Sequence, residues 1–264
     1  MNAIISIAKT TVGEAIRRRV LLVILLIGVI FLIVTPGLSV LGAKQSETIL
    51  KSFTLGIIQL TSAVIAIVLT VYLIPNEIER RTIYTILSKP VQRYQFLLGK
   101  YLGAVGAMGL MMALMTVTML FVFFLMSSGR LSPDTLAGLA RVPLMYFVQM
   151  SLLAAVAVFF STFVSPIVNF FLSGGVFMIG TFFNPLFSTL ADNKEVSPLV
   201  KIGATVIHTL VPNFADFNVQ NPVINPGAQI KNEQMYYLQL VAYAAIYIAL
   251  LMIGGILVFD RREV

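Results

Sequence analysis

Five stretches of this chain contain no Asp, Glu, Lys or Arg: 20–43, 52–76, 101–129, 142–191 and 234–259. A helix needs about 20 apolar residues to cross a hydrocarbon core of about 30 Å. Inside lipid it must also satisfy its own backbone, which leaves helices and closed barrels as the spanning structures. Each stretch reaches that length, and the fourth is about twice as long as one crossing requires. Ser165-Pro166 interrupts the fourth near its middle, where proline removes a backbone donor and disfavours helix in the residue before it. Dividing there gives six predicted spans, at about 20–41, 53–74, 101–126, 142–164, 167–190 and 235–258. The expected fold class is an all-α polytopic membrane protein, organised as one transmembrane domain over 1–264. With 58% apolar residues and a mean hydropathy of +0.95, the chain lies outside the range of soluble domains. The first run follows basic residues, as a signal peptide would, and Gly42-Ala43 is small enough for processing. It is longer than a cleaved leader's apolar region and reads as a retained first span.

Lys and Arg set the orientation. With both termini cytoplasmic, the inner side carries eleven of the eighteen basic residues, although its loops are mostly shorter. The outer side carries the other seven, spread over longer loops and balanced there by six acids. An even number of spans with both ends inside satisfies the positive-inside rule. The net charge of +7 therefore follows the membrane boundary, with Arg17, Arg18, Arg19, Arg80, Arg81, Lys89, Arg93, Arg261 and Arg262 all beside apolar runs. This distribution favours contact with anionic membrane lipids and argues against nucleic acid.

Residues 2–18 precede the first span. Ile5, Ala8, Val12 and Ile16 recur on one helical face, with Lys9, Glu14 and Arg17 away from it, so the segment predicts an amphipathic helix lying in the cytoplasmic interface. The longest connection, 191–233, is predicted on the outer side. Its Pro- and Asn-rich second half reads as turns, and 198–211 is apolar but too short to span, which predicts a re-entrant or interfacial helix.

No catalytic constellation is present. His208 has no base, nucleophile or metal partner in its local sequence, and the metalloprotease, nucleophile-elbow and phosphate-loop patterns are missing. Gly99-Lys100 resembles the end of a nucleotide-binding loop. Tyr101 follows where a hydroxyl residue is required, and Tyr94 stands in place of the earlier Gly. With no Cys, disulfides and thiolate metal sites are excluded. No ionisable side chain lies within the spans, which weighs against ion-coupled transport. Gln59, Gln149, Asn169 and Asn184 are the notable uncharged polar residues there. They are candidates for lining a path, although hydrogen bonding between helices is the commoner role. Met108, Met111, Met112, Met115 and Met119 form a stripe that reads as flexible packing rather than a Cu(I) ladder. Gly99-x-x-x-Gly103, with Gly106 and Gly109, allows another helix to approach closely.

Charge returns in an island at 77–100, between the second and third apolar runs. Pro75 closes the second span. Residues 77–87 fit a short helix with Glu77 and Glu79 in its first turn, where the helix dipole favours acids. Ser88-Lys89-Pro90 ends it, and the chain leads back into the membrane. A helix this short is marginal alone and needs a docking partner.

At this island the sequence resembles the permease subunits of type-2 ABC transporters, a family that includes six-helix exporters and permeases for multicopper-enzyme maturation. The family pattern is approximately Glu-x-Glu-x-Gly-Thr-x-x-x-Leu-(Ser/Thr)-x-Pro-(Val/Ile)-(Ser/Thr)-Arg, then an apolar pair and Gly-Lys. Glu77, Glu79, Thr82, Leu87, Ser88, Pro90, Val91, Arg93, Gly99 and Lys100 match in order, with four residues rather than three between Thr82 and Leu87. Arg81 replaces the usual Gly and Gln92 a hydroxyl residue, changes that bear on partner specificity more than on membership. Only the island is motif-grade; elsewhere the likeness is one of architecture.

The resemblance implies a non-enzymatic permease of the prokaryotic inner membrane, with an exporter's direction. Its coupling helix would enter a cleft of a separate cytoplasmic ATPase, through Glu77, Glu79, Arg80, Arg81, Thr82, Leu87, Ser88, Lys89, Pro90 and Arg93. ATP and Mg would belong to that partner, and no cofactor to this chain. Two permease chains, identical or different, would pair around a path. A self-sufficient carrier, and a membrane assembly or signalling subunit that moves no solute, are the alternatives. The cargo is not legible.

Overall fold

Four helices begin where the sequence supplies a cap or a proline. In the computed structural model, which describes residues 2–37, 46–75, 92–127, 132–192, 197–220 and 232–260, Gln92 and Gln95 form a reciprocal capping box that starts a helix at Arg93. Ser132 accepts the Thr135 backbone N–H, with Pro133 in the first turn. Ser165 and Ser197 are extended, each followed by a proline at the first helical position.

Numbered among the described residues, the helices are α1 (Asn2–Arg17), α2 (Arg19–Val34), α3 (Ser46–Val71), α4 (Arg93–Met126), α5 (Pro133–Ser161), α6 (Pro166–Met178), α7 (Asn184–Asp192), α8 (Pro198–Leu210) and α9 (Glu233–Asp260). A π-helical turn, Ile179–Phe183, joins α6 to α7, and a 3₁₀ turn, Ala215–Phe217, follows α8. No strand occurs among the described residues. Six helical segments are long and apolar enough to cross a membrane, and each overlaps one of the six predicted spans. The chain is an all-α, multi-pass membrane protein.

The helix limits depart from the apolar runs for identifiable reasons. α4 starts eight residues before the apolar run at 101, because its first turns carry Arg93 and Lys100 on side chains that find partners. α5 begins at Pro133 rather than near 142, where Ser132 and Pro133 start it. The Ser165-Pro166 break is realised as a tight turn after Ser161. The apolar segment after 197 is a helix, α8.

α5 is the central element, packed by α3, α4, α6 and α9. Its residues from Met150 to Val158 are nearly all inaccessible. By contrast α2 exposes Leu22, Val23, Leu26, Ile27, Ile30 and Phe31, and α6 exposes Ile167, Val168, Phe170 and Phe171. Apolar surface this continuous has no place in water and matches a lipid surround. Met108, Met111, Met112, Met115 and Met119 are all buried in the core, as packing requires.

The amino-terminal helix forms over the predicted length but packs on a different face. Ile5 and Ile16 are exposed, whereas Thr11 and Ala15 are buried. α1 lies against α4, and the glycines of α4 decide which side it presents. A Cβ on Gly103 would stand 2.5 Å from Thr11 Cβ and 2.7 Å from the Ala8 carbonyl. One on Gly99 would stand 2.8 Å from Ile7 Cβ. The Gly-x-x-x-Gly spacing therefore serves contact with α1.

Candidate functional site

The connectivity brings α1, the head of α4, the end of α5 and the end of α9 to one face of the bundle, called here the termini face. Of the residues predicted to couple to an ATPase, Glu77, Glu79, Arg80, Arg81, Thr82, Leu87, Ser88, Lys89 and Pro90 lie outside the described residues. Arg93, Gly99 and Lys100 are described, and they define the point where the island joins the spans.

Arg93 reaches the last turn of α9. One guanidinium nitrogen donates to the carbonyls of Phe259 at 3.0 Å and Asp260 at 3.2 Å. Its Nε lies 3.9 Å from the Asp260 carboxylate, and its guanidinium sits 5.8 Å from the Phe259 ring centre. The final carbonyls of a helix lack partners within it and carry the negative end of its dipole, so a cation there caps the helix. Phe96, one turn further along α4, stacks on Phe259 with centroids 6.2 Å apart. Gly255 of α9 faces Leu97 of α4, where a Cβ would stand at ordinary contact distance, 3.4 Å.

Lys100 is turned inward, with its side chain only 5% exposed. Its ammonium lies 3.6 Å from the Glu14 carboxylate and 5.8 Å from the Phe96 ring centre. A buried cation without an anion and a polarised ring would be costly, so these contacts explain how Lys100 is accommodated. Tyr101 then donates to the Ser151 carbonyl at 3.1 Å, tying α4 to α5. Within nine residues of its start, α4 is thus fastened to α1, α5 and α9.

The four candidate path-lining residues, Gln59, Gln149, Asn169 and Asn184, all form hydrogen bonds inside the chain. Gln59 donates to Gln149 at 3.2 Å, and Gln149 donates onward to the Phe214 carbonyl at 2.9 Å. Asn169 donates to the Ala157 carbonyl and accepts from Ser173. Asn184 meets His208 and the Val211 carbonyl. Gln149, Asn169 and Asn184 are buried, and Gln59 is half-buried.

These bonds also fasten the segment after α8 onto the opposite face. Tyr146 donates to Asn218 and Gln220, Tyr247 to the Thr209 carbonyl and Tyr236 to the Asp216 carbonyl, while Tyr243 accepts the Asn213 N–H. Phe214 and Phe217 are inaccessible, so irregular backbone here is buried in protein. Gly180, within the π-helical turn, permits this: a Cβ there would stand 2.4 Å from the Pro212 carbonyl. Asp216 accepts from Asn213 at 2.8 Å, yet desolvation raises its pKa above the usual carboxylate value, against the opposing effects of Asn213 and nearby His208.

Sequence reasoning missed the inward turn of Lys100 and the tyrosine clamp. Glu14, the single acid of the amino-terminal helix, pointed to the first. The hydroxyls at 236, 243 and 247 recur near one side of the last span and pointed to the second.

Six apolar spans, four of them packed on the central α5, define a polytopic membrane protein. The family model described as ABC-2 family transporter protein matches residues 5–264, and the chain belongs to that family. It is accordingly a membrane subunit of an ABC transporter, in a family that works with a cytoplasmic ABC ATPase. Among curated proteins, none matches the chain.

Proposed function

We propose that this chain is the permease of an ATP-driven exporter in a prokaryotic inner membrane, with the termini face cytoplasmic. Two copies, or this chain and a related one, enclose the path. A separate ATPase carrying ATP and Mg acts on the island at 77–93. The observation that carries this reading is the fastening of α4 immediately beyond the island. Arg93 holds α9, Lys100 with Gly99 and Gly103 holds α1, and Tyr101 holds α5. A push on the island reaches four helices within three turns of α4. Of the four candidate path-lining residues, Gln59 keeps exposed surface and is the one best disposed to face cargo at a meeting of two chains.

Flux measurement in liposomes tests the reading. Chain and ATPase together should move solute only with ATP. Movement by the chain alone would make it a self-sufficient carrier, and turnover with no solute moved would favour an assembly or signalling subunit.

A further inference from the structure

α1 presents two apolar sectors, and only one is used within the chain. Ile7 and Thr11 pack on α4 and Val12 meets it at Gly106, which leaves Ile5 at 47% and Ile16 at 43% exposure. Lys9, four residues after Ile5, flanks that row from its edge. The basic side chains continue through Arg17 and the elbow residues Arg18 and Arg19, where α1 gives way to the first span.

The acid that would balance them is already engaged. Glu14, the one carboxylate of α1, is paired with buried Lys100. Among the described residues, no ion pair or side-chain hydrogen bond serves Lys9, Arg17, Arg18 or Arg19. The surface therefore offers Lys9 at the edge of an apolar strip and three arginines at its end, where a membrane span begins. An aqueous anion would leave the strip uncovered, and a neutral lipid would leave the cations unneutralised. An amphiphile with an anionic headgroup answers both.

We propose that α1 and the Arg17–Arg19 elbow form a binding site for anionic phospholipid of the adjoining leaflet. The acyl chains lie along Ile5 and Ile16, and Lys9 with the arginines takes the phosphate-bearing headgroup. Because α1 is locked to α4 by Gly99, Gly103 and Lys100, the lipid also fixes the head of the helix that follows the island.

Native mass spectrometry of the purified chain, delipidated and then offered equal phosphatidylglycerol and phosphatidylcholine, tests the site. Wild type should retain phosphatidylglycerol in excess. Lys9→Gln/Arg17→Gln should lower that excess by about five-fold or more, since a basic residue at a charged surface contributes about that factor. Ile5→Ser/Ile16→Ser should lower retention of both lipids. Arg18 and Arg19 are kept so that the topology signal remains, and unchanged melting in detergent confirms folding. Equal retention of the two lipids by wild type, or an undiminished excess in the charge variant, would overturn the proposal. No ATPase is needed, so failure here leaves the transporter reading standing.

Discussion

Arg93 caps the carboxyl end of the last span: its guanidinium bridges the carbonyls of Phe259 and Asp260, 166 and 167 residues away in sequence. Charge-assisted bonds to helix-terminal carbonyls are stronger than neutral ones. The side chain is 29% exposed and the Asp260 carboxylate 70% exposed, so the ion pair itself adds little. Arg93→Gln should cost about 1–2 kcal/mol, mainly from the carbonyl bonds. Arg93→Lys should restore only part of it, because a single ammonium lacks the planar fork. Thermal unfolding of the purified chain in detergent reads both.

Gly103 and Gly13 should respond in opposite ways to an added methyl group. A Cβ on Gly103 meets Thr11 and the Ala8 backbone inside van der Waals contact, whereas one on Gly13 meets nothing within 4 Å. Gly103→Ala should destabilise by about 1–3 kcal/mol, as overpacking does. Gly13→Ala should be neutral or stabilise α1 by up to about 1 kcal/mol through helix propensity. Melting comparison of the two variants checks the direction of packing between α1 and α4.

Gln149 should matter more than Gln59. Gln149→Leu strands both the Gln59 amide and the buried Phe214 carbonyl, at a cost of about 2 kcal/mol. Gln59→Leu removes one bond from a half-buried group and should cost about 0.6 kcal/mol, the average for such interhelical bonds. A double-mutant cycle isolates their coupling.

Acid should steady the segment after α8. Burial raises the Asp216 pKa above its unfolded value, so between those two values the folded state binds more protons than the unfolded one. Stability of this segment therefore falls as pH rises through that interval and is regained below it. Asp216→Asn keeps an acceptor for Asn213 and should abolish the dependence. Hydrogen exchange at 211–220, followed against pH in both forms, measures this.

The spans were legible because hydrocarbon thickness imposes one length on every crossing, and Ser165-Pro166 marked the one ambiguous division. The helix starts at Arg93 and Pro133 were not, since caps and side-chain pairing extend helices past the edge of an apolar run. The face of α1 escapes periodicity for a related reason. Ile5, Ala8, Val12 and Ile16 make a clean apolar row, but the contact with α4 is chosen by Gly99 and Gly103, residues about 90 positions away. Periodicity reports that a face is apolar and does not say whether protein or lipid covers it. The same holds for Lys100, whose place in a recognisable motif gave no sign that Glu14 would meet it inside the fold.

The central claim is that force enters at the island and passes through the head of α4. ATP turnover and solute flux, measured together in the reconstituted complex, test it most directly in Glu79→Gln and Arg93→Gln variants that still assemble with the ATPase. The account predicts that ATP is still hydrolysed while flux per ATP falls several-fold. Wild-type flux per ATP in both variants would contradict it.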